Sequence, residues 1–184
     1  MITVEQAQAL CLALIQTGPI ETVALADARG RTLAEPLQAK RDQPPFSASV
    51  MDGYAIRSRD EKIGATLKVI AESAAGHGWN GTVKAAEAVR IFTGAPVPNG
   101  ADQVVIQENV TRTGDTITIG PDAMYNMNIR PQGADFTKDF VLSAPRELRA
   151  SDLALIAAMN HATVRVTRRP KVALISTGDE LLMP

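Results

Sequence analysis

VTRTGDTITI, residues 110–119, is the stretch of sequence that decides the fold class of this protein. Its two halves, 110–113 and 116–119, are rich in Val, Ile and Thr, whose side chains fit the pleated surface of a sheet. Gly114 and Asp115 between them suit a two-residue turn whose backbone needs positive φ. The stretch therefore predicts a β-hairpin.

The hairpin lies within a longer β-rich region that begins at Pro44. Gly and Pro recur there, helical periodicity fades, and strand-like runs appear between turns at 67–70, 89–92 and 104–106. We interpret this region as a β subdomain inserted into the rest of the chain.

Helical and extended segments occur on both sides of the inserted region. Thr3 and Gln6 have the spacing of a capping box, and Ser151 is a candidate N-cap for a second helix. Asn160 follows at a point where a left-handed residue can end that helix. The predicted elements are a helix over about 3–16, extended pieces at 21–25 and 31–34, a helix over 152–159, and a strand at 162–166.

The run KVALIS, residues 171–176, is almost continuously apolar and leads into Thr177-Gly178-Asp179-Glu180. This pattern predicts a buried parallel strand followed by a loop. A parallel strand needs neighbours and a crossover connection of about a dozen residues or more. We therefore expect this chain to be a fragment of a longer protein.

The composition excludes several classes of protein. The chain has 184 residues, of which 45% are hydrophobic and 21% charged, which is typical of a soluble globular protein. A net charge of -1 with scattered Lys and Arg disfavours nucleic acid as a partner. The N-terminus lacks the features of a signal peptide, and no apolar run approaches the roughly 20 residues of a membrane span. These features predict a cytoplasmic protein that contacts no membrane.

Cysteine and histidine chemistry is also disfavoured. Cys11 lies on the apolar face of the first predicted helix, where we expect a buried and inert thiol. Zinc-type Cys and His spacing, a phosphate loop and a G-x-S-x-G nucleophile motif are all absent from the sequence. The remaining polar inventory of carboxylates, hydroxyls and Arg suits oxyanions and a divalent metal.

Two loops offer candidate ligands close to a Gly. Asp52 precedes Gly53, and its carboxylate could coordinate a metal or act as a base. The alternative is an Asp-Gly turn whose side chain bonds its own backbone. Thr93 precedes Gly94 after a strand, so its hydroxyl and nearby amides could hold an oxyanion. The alternative there is a plain rigid turn.

Two further segments carry charged candidates. Arg130 could place its planar guanidinium on phosphate or a similar oxyanion, with Asp135 shortly after, although a simple Arg–Asp surface pair is the alternative. Asp179 and Glu180 follow the last predicted strand, where α/β sheets bind ligands, and adjacent acids suit Mg²⁺. Helix capping by Asp179 is the competing interpretation.

Four ordered motifs give the chain a family resemblance. They are Pro45-Phe46 with residues 49–55 (SVMDGYA), residues 90–98 (RIFTGAPVP), Asn128-Ile129-Arg130, and residues 176–181 (STGDEL). Together they closely resemble the molybdopterin molybdenumtransferase family. This is the MoeA family, which includes the enzymatic domain of gephyrin. The resemblance runs from the first helix to Pro184.

The resemblance implies a mainly β fold with helices, of the α+β class, with the bifurcated sheets of the MoeA N-terminal region. Residues 44–139 would form the inserted β subdomain, and 1–43 with 140–168 an elongated, discontinuous α+β subdomain. Residues 169–184 would begin a pterin-binding α/β domain. The resemblance also implies a homodimer.

The activity that the resemblance implies is the insertion of molybdenum from molybdate into adenylylated molybdopterin, with Mg²⁺-dependent release of AMP. Catalytic roles are implied for Asp52, Thr93, Asp135 and Glu180, and substrate binding for Arg130 and Ser49. Glu180 and Asp52 would also be the Mg²⁺ ligands. We expect the fragment to be inactive alone. The alternative is a non-catalytic scaffold or dimerisation module of the same fold.

Two departures from the family pattern bear on the site. The usual Phe-Asp-Asn-Ser is here Phe46-Ser47-Ala48-Ser49, and the usual Gly-Glu-Asp is Gly133-Ala134-Asp135. If the missing polar groups contact ligand elsewhere in the family, this protein must substitute for them or bind its ligand more weakly.

Overall fold

The computed structural model describes residues 2–123, 127–175 and 178. Contacts divide the chain into two units, which we call the discontinuous unit (Met1–Gln38 with Val141–Pro184) and the inserted unit (Ala39–Phe140). The regular elements are α1 (Val4–Ala13), β1 (Ile20–Ala24), β2 (Thr32–Leu33), β3 (Leu37–Gln38), β4 (Ala48–Ser49), β5 (Gly53–Ile56), β6 (Thr66–Ser73), β7 (Glu87–Ile91), β8 (Gln103–Ile106), β9 (Val110–Thr113), β10 (Thr116–Ile119), β11 (Ile129–Arg130), β12 (Val141–Leu142), β13 (Arg146–Glu147), α2 (Ala150–Ala158) and β14 (Thr163–Thr167). The fold is mainly β with two helices in the described ranges, as predicted.

The discontinuous unit is built on a four-stranded antiparallel sheet in the order β1-β14-β2-β13. Val164 and Val166 of β14 are buried while Arg165 between them is exposed, as expected for a strand with one face against a core. β3 and β12 form a separate two-stranded pair. The extended pieces predicted at 21–25, 31–34 and 162–166 are thus confirmed as strands.

Helix α2 begins two residues earlier than predicted, at Ala150 instead of Asp152. The carboxylate of Asp152 accepts a hydrogen bond from the Arg149 N–H at 2.9 Å and one from Arg146 Nε at 3.0 Å. Arg149 is therefore the N-cap residue, and the prediction of Ser151 was wrong because an acid three residues into the helix satisfies the first free amide. Asn160, at φ 69°, ends the helix in the left-handed conformation that was predicted.

Asp152 makes the stability of the discontinuous unit depend on pH. The Arg149 N–H, followed by the Arg146 guanidinium, lowers the pKa of this buried carboxyl below its ordinary value. A lowered folded-state pKa stabilises the fold above the unfolded-state pKa of about 3.9, and that stability is lost as pH falls through the folded-state pKa. We predict that Asp152→Asn flattens the fall in stability below about pH 4.

The measurement is urea unfolding followed by circular dichroism at several pH values. The slope of the free energy of unfolding against pH should decrease by no more than about 1.4 kcal/mol per pH unit, which is the contribution of one proton. Asp27→Ala, at an exposed position of the same unit, is the control. Identical slopes for the wild type and Asp152→Asn would contradict the prediction.

Helix α1 has the predicted capping box but not the predicted burial. Thr3 Oγ1 accepts the Gln6 N–H at 3.2 Å, and Gln6 Oε1 accepts the Thr3 N–H at 3.0 Å. The helix ends at Ala13 rather than near residue 16, and none of its residues is buried. Cys11 is exposed, so the expectation of a buried thiol was wrong. Apolar periodicity forms a face, but burial also requires an element that packs against it.

The predicted parallel strand at 171–176 is not formed over 171–175, where the backbone has no regular structure. Leu174 and Ile175 are 93% and 85% exposed. The prediction was wrong for these residues because no strand in the described ranges pairs with them, and a parallel strand is stable only beside a neighbour. Residues 176, 177 and 179–184 lie outside the described ranges.

The inserted unit contains a six-stranded sheet in the order β8-β5-β7-β6-β10-β9, with β6 and β7 parallel and the other pairs antiparallel. The hairpin predicted at 110–119 is confirmed as β9 and β10, with Gly114 at φ 59° in the turn. The runs predicted at 67–70, 89–92 and 104–106 correspond to β6, β7 and β8.

Both faces of this sheet are covered at β5. Tyr54 and Ile56 belong to one buried cluster with Leu67 and Ile117, whereas Ala55 belongs to a second cluster on the opposite face. Because alternate residues of a strand point to opposite faces, β5 is anchored from both sides. It therefore provides a rigid base for the loop that immediately precedes it. In the described part of the chain, no helix has the length and apolar character that a membrane crossing requires.

Candidate functional site

A cleft of about 460 Å³ lies in the inserted unit. It brings together four residues that were predicted as site residues, Ser49, Thr93, Arg130 and Asp135. Its lining residues come from three separate segments of the chain: Gln43, Pro44, Pro45, Phe46, Ala48, Ser49, Val50, Thr93, Gly94, Arg130 and Asp135.

Backbone pairing brings these segments together. β4 pairs antiparallel with β11, so that Ala48 lies opposite Arg130. The Gly94 N–H donates to the Ser49 carbonyl at 2.8 Å, and the Ser49 N–H donates to the Ala95 carbonyl at 3.0 Å. Main-chain hydrogen bonds therefore hold the segments of the cleft wall together, and their relative position does not depend on flexible side chains.

Asp52 is bound to Thr93 at the edge of this cleft. Its Oδ1 atom accepts the Thr93 N–H at 2.8 Å and the Thr93 hydroxyl at 2.8 Å. The alternative in which the Asp52 side chain bonds its own turn is not what the structure shows. The N–H and then the hydroxyl of Thr93 lower the pKa of the Asp52 carboxyl, which is therefore ionised near neutral pH. Its Oδ2 atom makes no hydrogen bond to a described residue and remains able to bind a ligand.

Arg130 and Asp135 form an ion pair on the cleft wall. Their side chains are 52% and 41% exposed, so the arrangement is the surface pair that was considered as an alternative. The contact uses the Nη2 atom of Arg130, and a guanidinium has five N–H donors. An anionic ligand could therefore bind Arg130 with or without displacing Asp135.

The loop that carries Asp135 is held by Asp42, which the sequence analysis did not single out. Asp42 accepts the Gln132 side-chain amide at 2.6 Å and the Lys138 N–H at 2.8 Å. These bonds, the Lys138 N–H foremost, lower the pKa of the Asp42 carboxyl. No sequence signal marks this residue, because Asp42 and Gln132 are 90 positions apart.

Ser47 occupies one of the positions that depart from the family pattern. Its Oγ atom accepts the Gln132 N–H at 3.2 Å, so an acceptor for the loop is retained at this position. The neighbouring Ala48 is buried beneath the cleft and offers no side-chain hydrogen bond.

Ser49 lines the cleft but is almost entirely buried, with 2% of its surface exposed. Its hydroxyl donates to the Met51 carbonyl at 2.6 Å. The side chain thus supports the turn that leads to Asp52, and donation of a hydrogen bond to a substrate would require this bond to break.

Glu180, predicted as a catalytic residue and Mg²⁺ ligand, lies outside the described residues. Within the described ranges, no group of three or more His, Cys, Asp or Glu side chains is placed to hold a metal ion. Mg²⁺ commonly takes only one or two protein carboxylates and completes its shell with water and substrate phosphate. The free Oδ2 atom of Asp52 fits that mode of binding.

Arg90 lies within the motif RIFTGAPVP, but the sequence assigned it no role. Its guanidinium lies over the rings of Tyr54 and Phe92, at 5.2 Å and 4.7 Å from their centroids. It donates to the Gly53 carbonyl at 3.1 Å and to the Gln107 side-chain oxygen at 2.6 Å. The alternation of a strand could have shown that Arg90 and Phe92 share a face, but not that Tyr54 and Gln107 meet them there.

The sequence profile of the MoeA N-terminal region (domain I and II) matches residues 2–160 of this chain. The chain belongs to the MoeA family. Proteins named molybdopterin molybdenumtransferase are similar to this MoeA-family chain. That of Haemophilus influenzae is 39% identical over 186 aligned positions, which cover 99% of this chain and 46% of the relative. That of Staphylococcus aureus (strain MRSA252) is 41% identical, over 90% of this chain and 41% of the relative.

Solved structures show the same likeness. A molybdopterin biosynthesis MoeA protein from Pyrococcus horikoshii superimposes with a TM-score of 0.83 at 30% identity, over 92% of this chain and 45% of that one. A second structure from the same organism gives 0.78 at 34% identity. The MoeA-family chain described here spans less than half the length of these relatives.

Proposed function

We propose that this chain is the N-terminal part of a molybdopterin molybdenumtransferase, which inserts molybdenum from molybdate into adenylylated molybdopterin and releases AMP. The observation that carries the proposal is the Asp52–Thr93 pair beside the cleft, where an ionised carboxylate keeps one oxygen free. The names of the similar proteins supply the reaction, and the site residues match the motifs that suggested it.

Four residues at or beside the cleft have a role in this proposal. Thr93 fixes the orientation of the Asp52 carboxylate through two hydrogen bonds to its Oδ1 atom. The Oδ2 atom of Asp52 is then available to bind a ligand. Arg130 holds an anionic oxygen of molybdate or adenylate, and Asp135 keeps the guanidinium in place until the ligand arrives. Fixed donors of this kind stabilise charge without reorganising during the reaction.

Mg²⁺ is the proposed cofactor, with Asp52 as a ligand and Glu180 as the second ligand that the family resemblance implies. When bound, the ion would offset the negative charge that develops on the departing phosphate. The sulfur atoms that receive molybdenum belong to the substrate, so the mechanism requires no catalytic cysteine. A cytoplasmic location and a homodimer complete the proposal. The exposed Leu10 and Leu12 of α1 supply apolar surface for such an interface.

The experiment compares the 184-residue chain with a chimera in which the C-terminal part of the Haemophilus influenzae relative follows it. Both are incubated with adenylylated molybdopterin, molybdate and Mg²⁺, and active cofactor is measured by reconstituting a molybdenum-dependent apoenzyme. We expect activity from the chimera and none from the chain alone. Turnover by the chain alone would refute the expectation that the active site also needs the C-terminal part. A folded, dimeric and inactive chimera would favour the scaffold alternative.

A further inference from the structure

We propose that Arg90 is a positioning residue that holds the turn bearing Asp52 so that its carboxylate stays bound to Thr93 of the cleft wall. The inference rests on the proposed function, since Asp52 is the group whose placement matters there. Arg90 itself does not line the cleft, and it acts on the backbone that follows the Asp52 side chain, directly at the Gly53 carbonyl and through Gln107 at the Asp52 carbonyl.

The hydrogen bonds around Asp52 form a closed arrangement. The Gln107 N–H donates to the Asp52 carbonyl at 3.0 Å. Arg90 Nη1 donates to the next carbonyl, that of Gly53, at 3.1 Å, and Arg90 Nη2 donates to Gln107 Oε1 at 2.6 Å. One guanidinium therefore ties the residue after Asp52 to the residue that binds the Asp52 carbonyl. Rotation of the Asp52 peptide would break at least one of these bonds.

Two aromatic side chains contact this guanidinium and restrict its position. Tyr54 lies directly opposite Arg90 in the β5–β7 pairing and is 4% exposed, so its ring is held by the core. Phe92 is two residues beyond Arg90 and places its ring 4.7 Å from the guanidinium carbon. Cation–π contacts are made more often by Arg than by Lys, and the ammonium of Lys cannot donate two bonds in a fixed fork.

Amide hydrogen exchange in the full chain, measured by NMR without substrate, tests the inference. The Thr93 amide donates to the Asp52 side chain and the Gln107 amide to the Asp52 carbonyl, so both report on how firmly Asp52 is held. We expect Arg90→Lys to accelerate exchange at these two amides by about tenfold, as the loss of a charged hydrogen bond would. Amides of the β6–β10 pairing should keep their wild-type rates.

Arg112→Lys is the matched control. Arg112 also donates to a glycine carbonyl in the inserted unit, that of Gly114 at 3.0 Å, but it belongs to the β9–β10 hairpin and not to the network of Asp52. It should leave exchange at Thr93 and Gln107 unchanged. If Arg90→Lys changes those two rates by less than about twofold, or accelerates the whole sheet equally, the positioning role is overturned.

A second variant keeps the test decisive if Arg90→Lys does not fold. Gln107→Ala removes one partner of Arg90 but retains the backbone N–H that binds Asp52. It should accelerate the same two amides, by less than Arg90→Lys, and no change there would also overturn the inference. In an active chimera, Arg90→Lys should lower kcat with little change in KM. If the chimera is inactive but Arg90→Lys still accelerates exchange at Thr93 and Gln107 in the chain, the result counts against the proposed function and supports the positioning role.

Discussion

Asp52→Asn is expected to lower molybdenum insertion by the chimera by at least about 100-fold, the range found when a group that stabilises transition-state charge is removed. Asn has the same shape, and its carbonyl oxygen can still accept the two bonds from Thr93. It lacks the negative charge and the second carboxylate oxygen, which the proposal assigns to metal and adenylate handling. The loss should therefore fall on activity while the fold remains intact.

The measurement is the initial rate of cofactor formation at saturating Mg²⁺, with circular dichroism to verify folding. Asp102→Asn is the matched control because Asp102 also accepts an N–H and a hydroxyl from one residue, Ser58, at 2.6 Å and 2.9 Å, although each of its oxygens accepts one of the bonds. The Ser58 N–H lowers the pKa of Asp102 as well, but the Asp102 side chain binds Ser58, which does not line the cleft, whereas Asp52 binds Thr93 of the cleft wall. We expect it to retain near wild-type activity. An Asp52→Asn protein with more than half the wild-type rate would remove Asp52 from the site.

Gly53→Ala is expected to destabilise the inserted unit by about 3 kcal/mol or more, the upper range for overpacking a core. A Cβ atom at Gly53 would lie 2.0 Å from the Val105 carbonyl oxygen. That oxygen belongs to β8, which is paired with β5 along its length, so neither backbone can move away without breaking the sheet. The glycine after Asp52 is thus required by the approach of two strands.

Urea unfolding followed by the fluorescence of Trp79, the single tryptophan of the chain, measures this effect in the inserted unit. Gly64→Ala is the control. Gly64 has φ 78° and open space around its Cα, so alanine there meets only the backbone penalty of the left-handed region, about 1–2 kcal/mol. Equal destabilisation by the two substitutions would show that contact with Val105 is not the cause.

Local patterns predicted those features whose causes are local. The β9–β10 hairpin follows from branched residues around a Gly-Asp pair, and the left-handed Asn160 follows from its place after a helix. Motif resemblance likewise singled out Thr93, Arg130 and Asp135, which the structure places in one cleft. It also singled out Asp52, which binds Thr93 across 41 positions of the chain.

The predictions of burial were wrong where an apolar segment needs another element to pack against it. The apolar periodicity of α1 and the apolar run at 171–175 both predicted burial, yet their side chains are exposed. A hydrophobic face lowers the free energy of folding only when another surface removes it from water, and a local pattern does not say whether that surface is present.

Local sequence predicts the β-rich inserted region, its hairpin, and the residue types from which an anion and metal site can be made. Folding of the chain then brings particular residues of this set into contact. It paired Asp52 with Thr93, anchored the Asp135 loop through Asp42, and placed Arg90 behind Asp52. The physical reason is that hydrogen bonds depend on distances of about 3 Å between atoms, whereas the partners here are tens of residues apart along the chain.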